Sequence, residues 1–214
     1  MSSTNDAFHE ALEKNNVWAK ETAEKHPDLF PALAKGQKPP ILWIGCADSR
    51  CPETTLLGLQ PGQVFVHRNI ANILHPGDLS AQSVIEYAVK YLGVEHVVLG
   101  GHVSCGGVKA ALGNAKLGLI DAWLAPLRSL REQNIEALDA LATEDEKASL
   151  LMELNVKKGV ETLKENHHII DAIRERGLQV YGVIYDVGTG QLRELDTNED
   201  ASRVNQRLKA FETK

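Results

Sequence analysis

The chain has 214 residues, of which 43% are hydrophobic and 24% charged, enough for one domain with a buried core. Its formal net charge of −6 argues against nucleic acid or an anionic membrane as the main partner, since both call for a concentrated basic face. No apolar run approaches the roughly 20 residues of a membrane span. The opening "MSSTNDAFHEALEKNN" has neither a secretory core nor an arginine-rich leader, so a cytoplasmic location is the expectation.

Residues 4–25 carry Phe8, Leu12, Val17 and Trp18 among Ala, Glu, Lys and Asn, an amphipathic helical pattern that Pro27 limits. So few apolar positions on that length point to an N-terminal helical arm, residues 1–36, lying across another surface such as a neighbouring subunit. "DLFPALAKGQKPP" reads as a linker. After Pro39-Pro40, "ILWIG" (41–45) is a continuous apolar run, as in a buried parallel strand. "QVFVHRN" (63–69) is a second strand, after the turn signal Pro61-Gly62. "GDLSAQSVIEYAVKYLG" is a helix with Asp78 and Ser80 as cap candidates and Gly93 at its end. "EHVVLGGH" (95–102) is a third buried strand, and "CGGVKAALG" starts a helix directly after it. Residues 119–134 and 143–176 read as helices, the first interrupted at Pro126. "LQVYGVIYDVGTGQLREL" reads as a strand pair turning at Gly188 and Gly190. A last helix covers roughly 198–212. Strands alternating with helices imply an α/β fold, a central and mostly parallel sheet flanked by helices.

In such sheets ligands gather beyond the carboxyl ends of the strands. Cys46 comes just after "ILWIG", His102 ends "EHVVLGGH", and Cys105 follows three residues later beside a helix start. Two adjacent strands would thus bring a Cys-His-Cys set to one crevice, a competent zinc set whose open fourth position is the mark of a catalytic site. The chain's three cysteines do not make a disulfide framework at this length. A buried cysteine can equally be a small apolar filler, and Cys46 with Cys51 can form a C-x4-C pair in a closed structural site. Cys51 precedes Pro52, at the start of a short helix pointing away, and reads as a bystander. Asp48 and Arg50, alternating in an extended turn, can face the same side. A guanidinium fork would fix the carboxylate and keep it ionised, although a solvated surface ion pair is the plainer account of such a pair.

"CADSR", followed some fifty residues later by "HVSCGG", resembles the β-class carbonic anhydrases. The likeness extends through "GLQPGQVFVHRNIAN", "SAQSVIEYAVKYLGVEHVVLGGH", "ELNV" (153–156) and "VYGVIYDVGTGQL", from about Gln37 to Leu192. The resemblance implies a single domain over 1–214 and one zinc per chain on Cys46, His102 and Cys105, with Asp48 and Arg50 as catalytic dyad. It implies reversible hydration of CO2 to bicarbonate and a proton, by attack of hydroxide held on zinc. Gln37, Phe65, Ile70 and Gly106 would line a narrow substrate cleft, partly across a dimer interface; Phe65 and Ile70 can also be plain core. One subtype binds inhibitory bicarbonate at a second pocket matching Trp43, Arg68 and Tyr185, with Asp48 then leaving Arg50 for the metal. The partners implied are CO2, water and bicarbonate, with a homodimer or homotetramer as the assembly.

Two thiolates leave a zinc site formally neutral, so hydration is expected to rise toward alkaline pH. His67, His75 and Tyr87 are unranked proton-shuttle candidates, and His167-His168 reads as a solvated face. Rival readings are hydrolysis of another small linear substrate, CS2 or COS, and a zinc-dependent sensor with Asp48 permanently on the metal. A thiol redox role fails for want of C-x-x-C.

Overall fold

The computed structural model describes residues 6–211. The chain divides into two units, Met1–Gln37 and Lys38–Lys214. In the first, α1 (Ala7–Lys25) begins where the Asp6 carboxylate accepts the Phe8 N–H at 3.0 Å and ends before His26. Phe8, Leu12, Val17 and Trp18 are all exposed, and Trp18 meets Phe30 edge to face. The expected linker contains a helical turn, α2 (Leu29–Leu33). Pro31 sits in its first turn, where a missing N–H costs nothing.

The second unit is built on a five-stranded sheet in the order β2-β1-β3-β4-β5. Its strands are β1 (Ile41–Cys46), β2 (Val64–Asn69), β3 (His96–His102), β4 (Gln179–Asp186) and β5 (Gln191–Glu194). The first four pair in parallel and β5 closes antiparallel on β4, so the expected α/β class and hairpin are both present. Between β1 and β2 lies α3 (Glu53–Leu56). After β2, α4 (Leu79–Glu86) starts at Asp78, whose carboxylate accepts the N–H of Ser80 and Ala81; Ser80 is therefore inside the helix and not its cap. The helix continues as a wider turn over Tyr87–Leu92 and stops at Gly93, φ 70°, a left-handed position that glycine adopts freely.

α5 (Gly106–Leu112) follows β3, then α6 (Leu119–Trp123), α7 (Ala125–Gln133) and α8 (Ile135–Asp139). The expected break at Pro126 falls instead at Leu124, because Pro126 occupies the first turn of α7, where proline is tolerated. The long 143–176 segment is two helices, α9 (Glu144–Glu165) and α10 (His167–Arg176). A Thr143–Glu146 capping box starts α9. Asn166 is extended and its side chain accepts the His168 N–H, ending one helix and capping the next. The last helix, α11 (Ala201–Phe211), starts later than the expected 198 because Asp200 caps it by accepting the Arg203 N–H at 2.7 Å.

One sheet face carries Leu42, Ile44, Val97, Leu99 and Ile184 into the core under α9. Helix and sheet approach closely: a Cβ on Gly159 would stand 2.2 Å from the Leu99 side chain, and one on Gly101 2.7 Å from Val156. On the other face the Trp43 ring lies over Gly45 and Gly100, where added Cβ atoms would come within 2.4 and 2.3 Å of it. No described helix is long and apolar enough to cross a membrane.

Candidate active site

Parallel pairing of β1 with β3 sets Gly45 opposite Gly100, so the next residues of the two strands emerge side by side. Cys46 ends β1 and His102 ends β3. Ser104, left-handed at φ 57°, then turns the chain so that Cys105 becomes the cap residue of α5. The Cys46 and Cys105 sulfurs and a His102 ring nitrogen all lie within 4.8 Å of one another, at exposures of only 7%, 3% and 1%. The sulfurs are 3.9 Å apart, and two thiolates about 2.3 Å from one tetrahedral zinc would stand about 3.8 Å apart.

His102 Nδ1 donates to the Val103 carbonyl at 2.9 Å, which leaves the lone pair on Nε2. That atom is buried and has no hydrogen-bond partner, a cost a folded protein rarely carries without a ligand there. Two sulfurs and one nitrogen in a tight, dry cluster fit zinc. The hydrogen bond from Cys105 leads in lowering the Cys46 pKa, against burial. The same contact, followed by burial, pushes Cys105 up.

Asp48 and Arg50 form the expected fork. Arg50 Nε donates to Asp48 Oδ1 at 2.9 Å and Nη2 to Oδ2 at 2.7 Å, while the Arg50 backbone N–H also reaches Oδ1. These bonds hold the Asp48 carboxyl well below the usual carboxylate range, against some desolvation. Arg50 Nη2 also donates to the Ser104 carbonyl at 3.2 Å, tying the dyad to the turn that carries Cys105. Asp48 Oδ2 is 3.8 Å from His102 Nε2, beside the ligand cluster and engaged with Arg50. Cys51 is buried just before α3, its pKa pushed up to about 11 by burial and then by the Asp48 charge. It lies outside the close cluster.

The remaining candidates are distributed around this centre. Phe65 is half-buried and stacks on Tyr87, ring centroids 5.7 Å apart. Ile70 is exposed, and Gly106 opens α5 with no atom near where a Cβ would stand. Gln37 is exposed in the first unit. Trp43, Arg68 and Tyr185 share one sheet face, because Arg68 pairs with Gly45, Gly45 with Gly100, and Tyr185 with His102. Arg68 donates from Nε to the Cys46 carbonyl at 2.7 Å and from Nη2 to the Asp48 carbonyl, with Glu53 3.7 Å away.

His67 is buried, its pKa lowered chiefly by that burial, while His75 is exposed. His168, expected on a solvated face, is instead half-buried 3.6 Å from Glu86, and burial leads in lowering its pKa. The sequence reading passed over three side chains that grip the turn after β2. Asn69 accepts the Ile73 N–H and donates to the Ile73 carbonyl, both at 2.9 Å. Trp123 Nε1 donates to the Ile70 carbonyl at 2.8 Å, and Asn155 Nδ2 to the Ala71 carbonyl at 2.9 Å. Asn155 carried a signal, an amide on the apolar face of α9 beside Leu151, Met152 and Val156; Trp123 carried none.

A family model described as carbonic anhydrase matches residues 41–192. A carbonic anhydrase of Emericella nidulans is 40% identical over 186 residues, 86% of this chain and 82% of the relative. The structure of a β-carbonic anhydrase of Aspergillus fumigatus superposes with a TM-score of 0.96 at 56% identity, covering 98% of this chain and 100% of that one. A structure described as one of two tetrameric β-carbonic anhydrases of Sordaria macrospora gives a TM-score of 0.87 at 53% identity, covering 88% and 96%. The match spans β1, β3 and the start of α5, which carry Cys46, His102 and Cys105, and the chain belongs to the β-carbonic anhydrases, enzymes that hydrate CO2.

Proposed function

We propose that Cys46, His102 and Cys105 hold one zinc ion and that Asp48 and Arg50 manage the reacting water in reversible hydration of CO2 to bicarbonate and a proton. The observation that carries this is the buried donor cluster with its unpartnered His102 Nε2. Bound there, zinc would acidify water into a nucleophile, less strongly than over three neutral histidines, where that pKa is about 7, because two thiolates cancel its charge. Asp48, kept ionised by Arg50, is a fixed acceptor whose Oδ2 would take a hydrogen bond from the reacting water. Arg50 holds that carboxylate in the fork, which would leave a ligand place free for water. Phe65, Ile70 and Gly106 offer CO2 apolar side chains and bare backbone with no charge to compete. The proton leaves to buffer, and His67, buried and neutral at pH 7, is a poorer exit than exposed His75 or Tyr87.

The reading includes a homodimer or homotetramer, supported by the tetrameric Sordaria relatives. It also includes an arm of residues 1–36 packed on a neighbouring subunit, which the four exposed apolar residues of α1 support, and a cytoplasmic location. Stopped-flow CO2 hydration by the zinc-loaded protein at pH 7 and near 8.5 is the test. Turnover rising with pH is expected. No turnover at either pH with zinc bound would overturn the reading, in favour of a closed site with Asp48 on the metal or of CS2 or COS as substrate.

A specific observation also supports inhibition by bicarbonate. Arg68 ties the Cys46 and Asp48 carbonyls together on the face it shares with Trp43 and Tyr185. An anion drawing Arg68 toward those rings would release the Asp48 loop and let the carboxylate swing onto the metal. Activity is then expected to fall at low pH and high bicarbonate, and Trp43→Ala to relax the bicarbonate effect. An unchanged response in that variant contradicts this part.

A further inference from the structure

We propose that Trp123 and Asn155 are positioning residues for the metal centre, holding the turn after β2 so that it supports the Cys46 thiolate and presents the Ile70 wall. The inference rests on the zinc reading above, and concerns groups that touch neither metal nor substrate.

The turn is one the chain would not choose unaided. Ala71 and Asn72 are both left-handed, at φ 61° and 45°, a region that costs a residue with a Cβ roughly 1–2 kcal/mol. Both are buried, so their backbone groups need partners inside the protein. Three side chains from three elements provide them on neighbouring peptides. Asn69 from β2 brackets Ile73, Trp123 from α6 takes the Ile70 carbonyl, and Asn155 from α9 takes the Ala71 carbonyl. The Trp123 bond has a further consequence. The Ile70 carbonyl belongs to the same peptide unit as the Ala71 N–H, and that N–H is among the smaller backbone contributions that lower the Cys46 pKa. The indole N–H therefore fixes one end of a planar group whose other end favours the Cys46 thiolate. Fixing a carbonyl also polarises the N–H across the same amide, so successive hydrogen bonds strengthen one another.

The turn is coupled to the second cysteine as well. A Cβ on Gly107 would stand 2.9 Å from the Ala71 Cβ and 3.2 Å from Ile70 Cγ2. The first turn of α5, capped by Cys105, thus rests directly on Ala71. Movement of Ala71 would disturb both thiolates together, and outer partners of this kind typically contribute 10–100-fold to metal affinity.

The test is zinc affinity by chelator competition, with the thiolate-to-cobalt charge-transfer band of the cobalt-substituted protein, on Trp123→Phe and Asn155→Ala. Trp123→Phe keeps a half-buried aromatic ring and removes the N–H, so it carries the test should Asn155→Ala fail to fold. Each folded variant is expected to bind zinc about tenfold more weakly and to show a shifted cobalt band. A lowered melting temperature with wild-type zinc affinity and an unmoved band means that these residues only pack, and overturns the proposal. The readout is independent of turnover: a wild-type protein that binds zinc but does not hydrate CO2 removes the proposed function and leaves this result intact.

Discussion

The segments that leave β1 and β3 start side by side and then diverge. After β1 the chain turns outward at once: the Asp48 side chain is 19% exposed and that of Arg50 49%. After β3 the chemistry stays inside, with His102 and Cys105 almost wholly buried and Ser104 taking the left-handed turn that lets α5 begin at once. On the proposed zinc reading the first segment contributes one ligand and a charged pair, and the second two ligands and a helix start. Metal retention is then expected to depend mainly on the buried segment and rate on the exposed one, and substitutions should separate the two properties.

The largest effect is expected on the buried side. His102→Ala or Cys105→Ser leaves two of three ligands, and metal analysis should find the zinc lost and CO2 hydration at background; full zinc content in either variant would break the contrast. Chelation of the wild type should do the same, reversed by added zinc. On the exposed side, Asp48→Asn keeps the side chain's shape and removes the acceptor charge. Zinc content should stay at one per chain while kcat falls about a hundredfold or more, in the range of a lost proton-handling group.

The depressed Asp48 pKa sharpens this further. A carboxylate whose folded pKa lies below its unfolded value stabilises the fold above the unfolded pKa of about 3.9, and that contribution is lost only as pH falls through the lower folded value. The Asp48–Arg50 pair should therefore add no titration between pH 5 and 9. A carboxyl carbon NMR resonance of Asp48 that moves between pH 5 and 9 would contradict it.

Gly107→Ala probes the wall between the segments. Its Cβ would press on Ala71 at 2.9 Å, and overpacking of this kind costs about 1–3 kcal/mol, readable as a lowered melting temperature with weakened zinc binding. The smallest effect is expected at Cys51. Its thiol keeps its proton up to about pH 11, so alkylation at pH 8 should be slow with metal bound. After chelation the label should enter Cys46 ahead of Cys51. Because the folded state holds the Cys51 proton more tightly than the unfolded state does, this thiol's stabilising contribution declines as pH rises toward that value.

Much of this was legible in the chain. The continuous apolar run at 41–45 and the segment "EHVVLGGH" at 95–102 marked buried strands, and their ends located Cys46 and His102. Asp48 and Arg50 were legible because two residues in an extended turn share a side, and the fork formed. Asp78 and Ser80 were both legible as cap candidates because a carboxylate and a hydroxyl compete for that role, and only the backbone shows that Asp78 accepts the helix N–H groups. Pro126 was misread as a break because a proline one turn earlier or later has opposite consequences. The turn over Ile70–Asn72 left no trace, since Ala71 in a left-handed conformation is held by side chains up to 84 residues away, and local propensity carries no record of them.

Zinc K-edge X-ray absorption on the zinc-loaded protein tests the central claim most directly, because it reports the ligand atoms. The account predicts two sulfurs at about 2.3 Å with one nitrogen and one oxygen at about 2.0–2.2 Å, the sulfur shell reduced to one in Cys105→Ser samples that retain any metal and unchanged in Cys51→Ser. Three sulfurs, or a shell that loses sulfur when Cys51 is replaced, would contradict it and move the metal to a site built on Cys51.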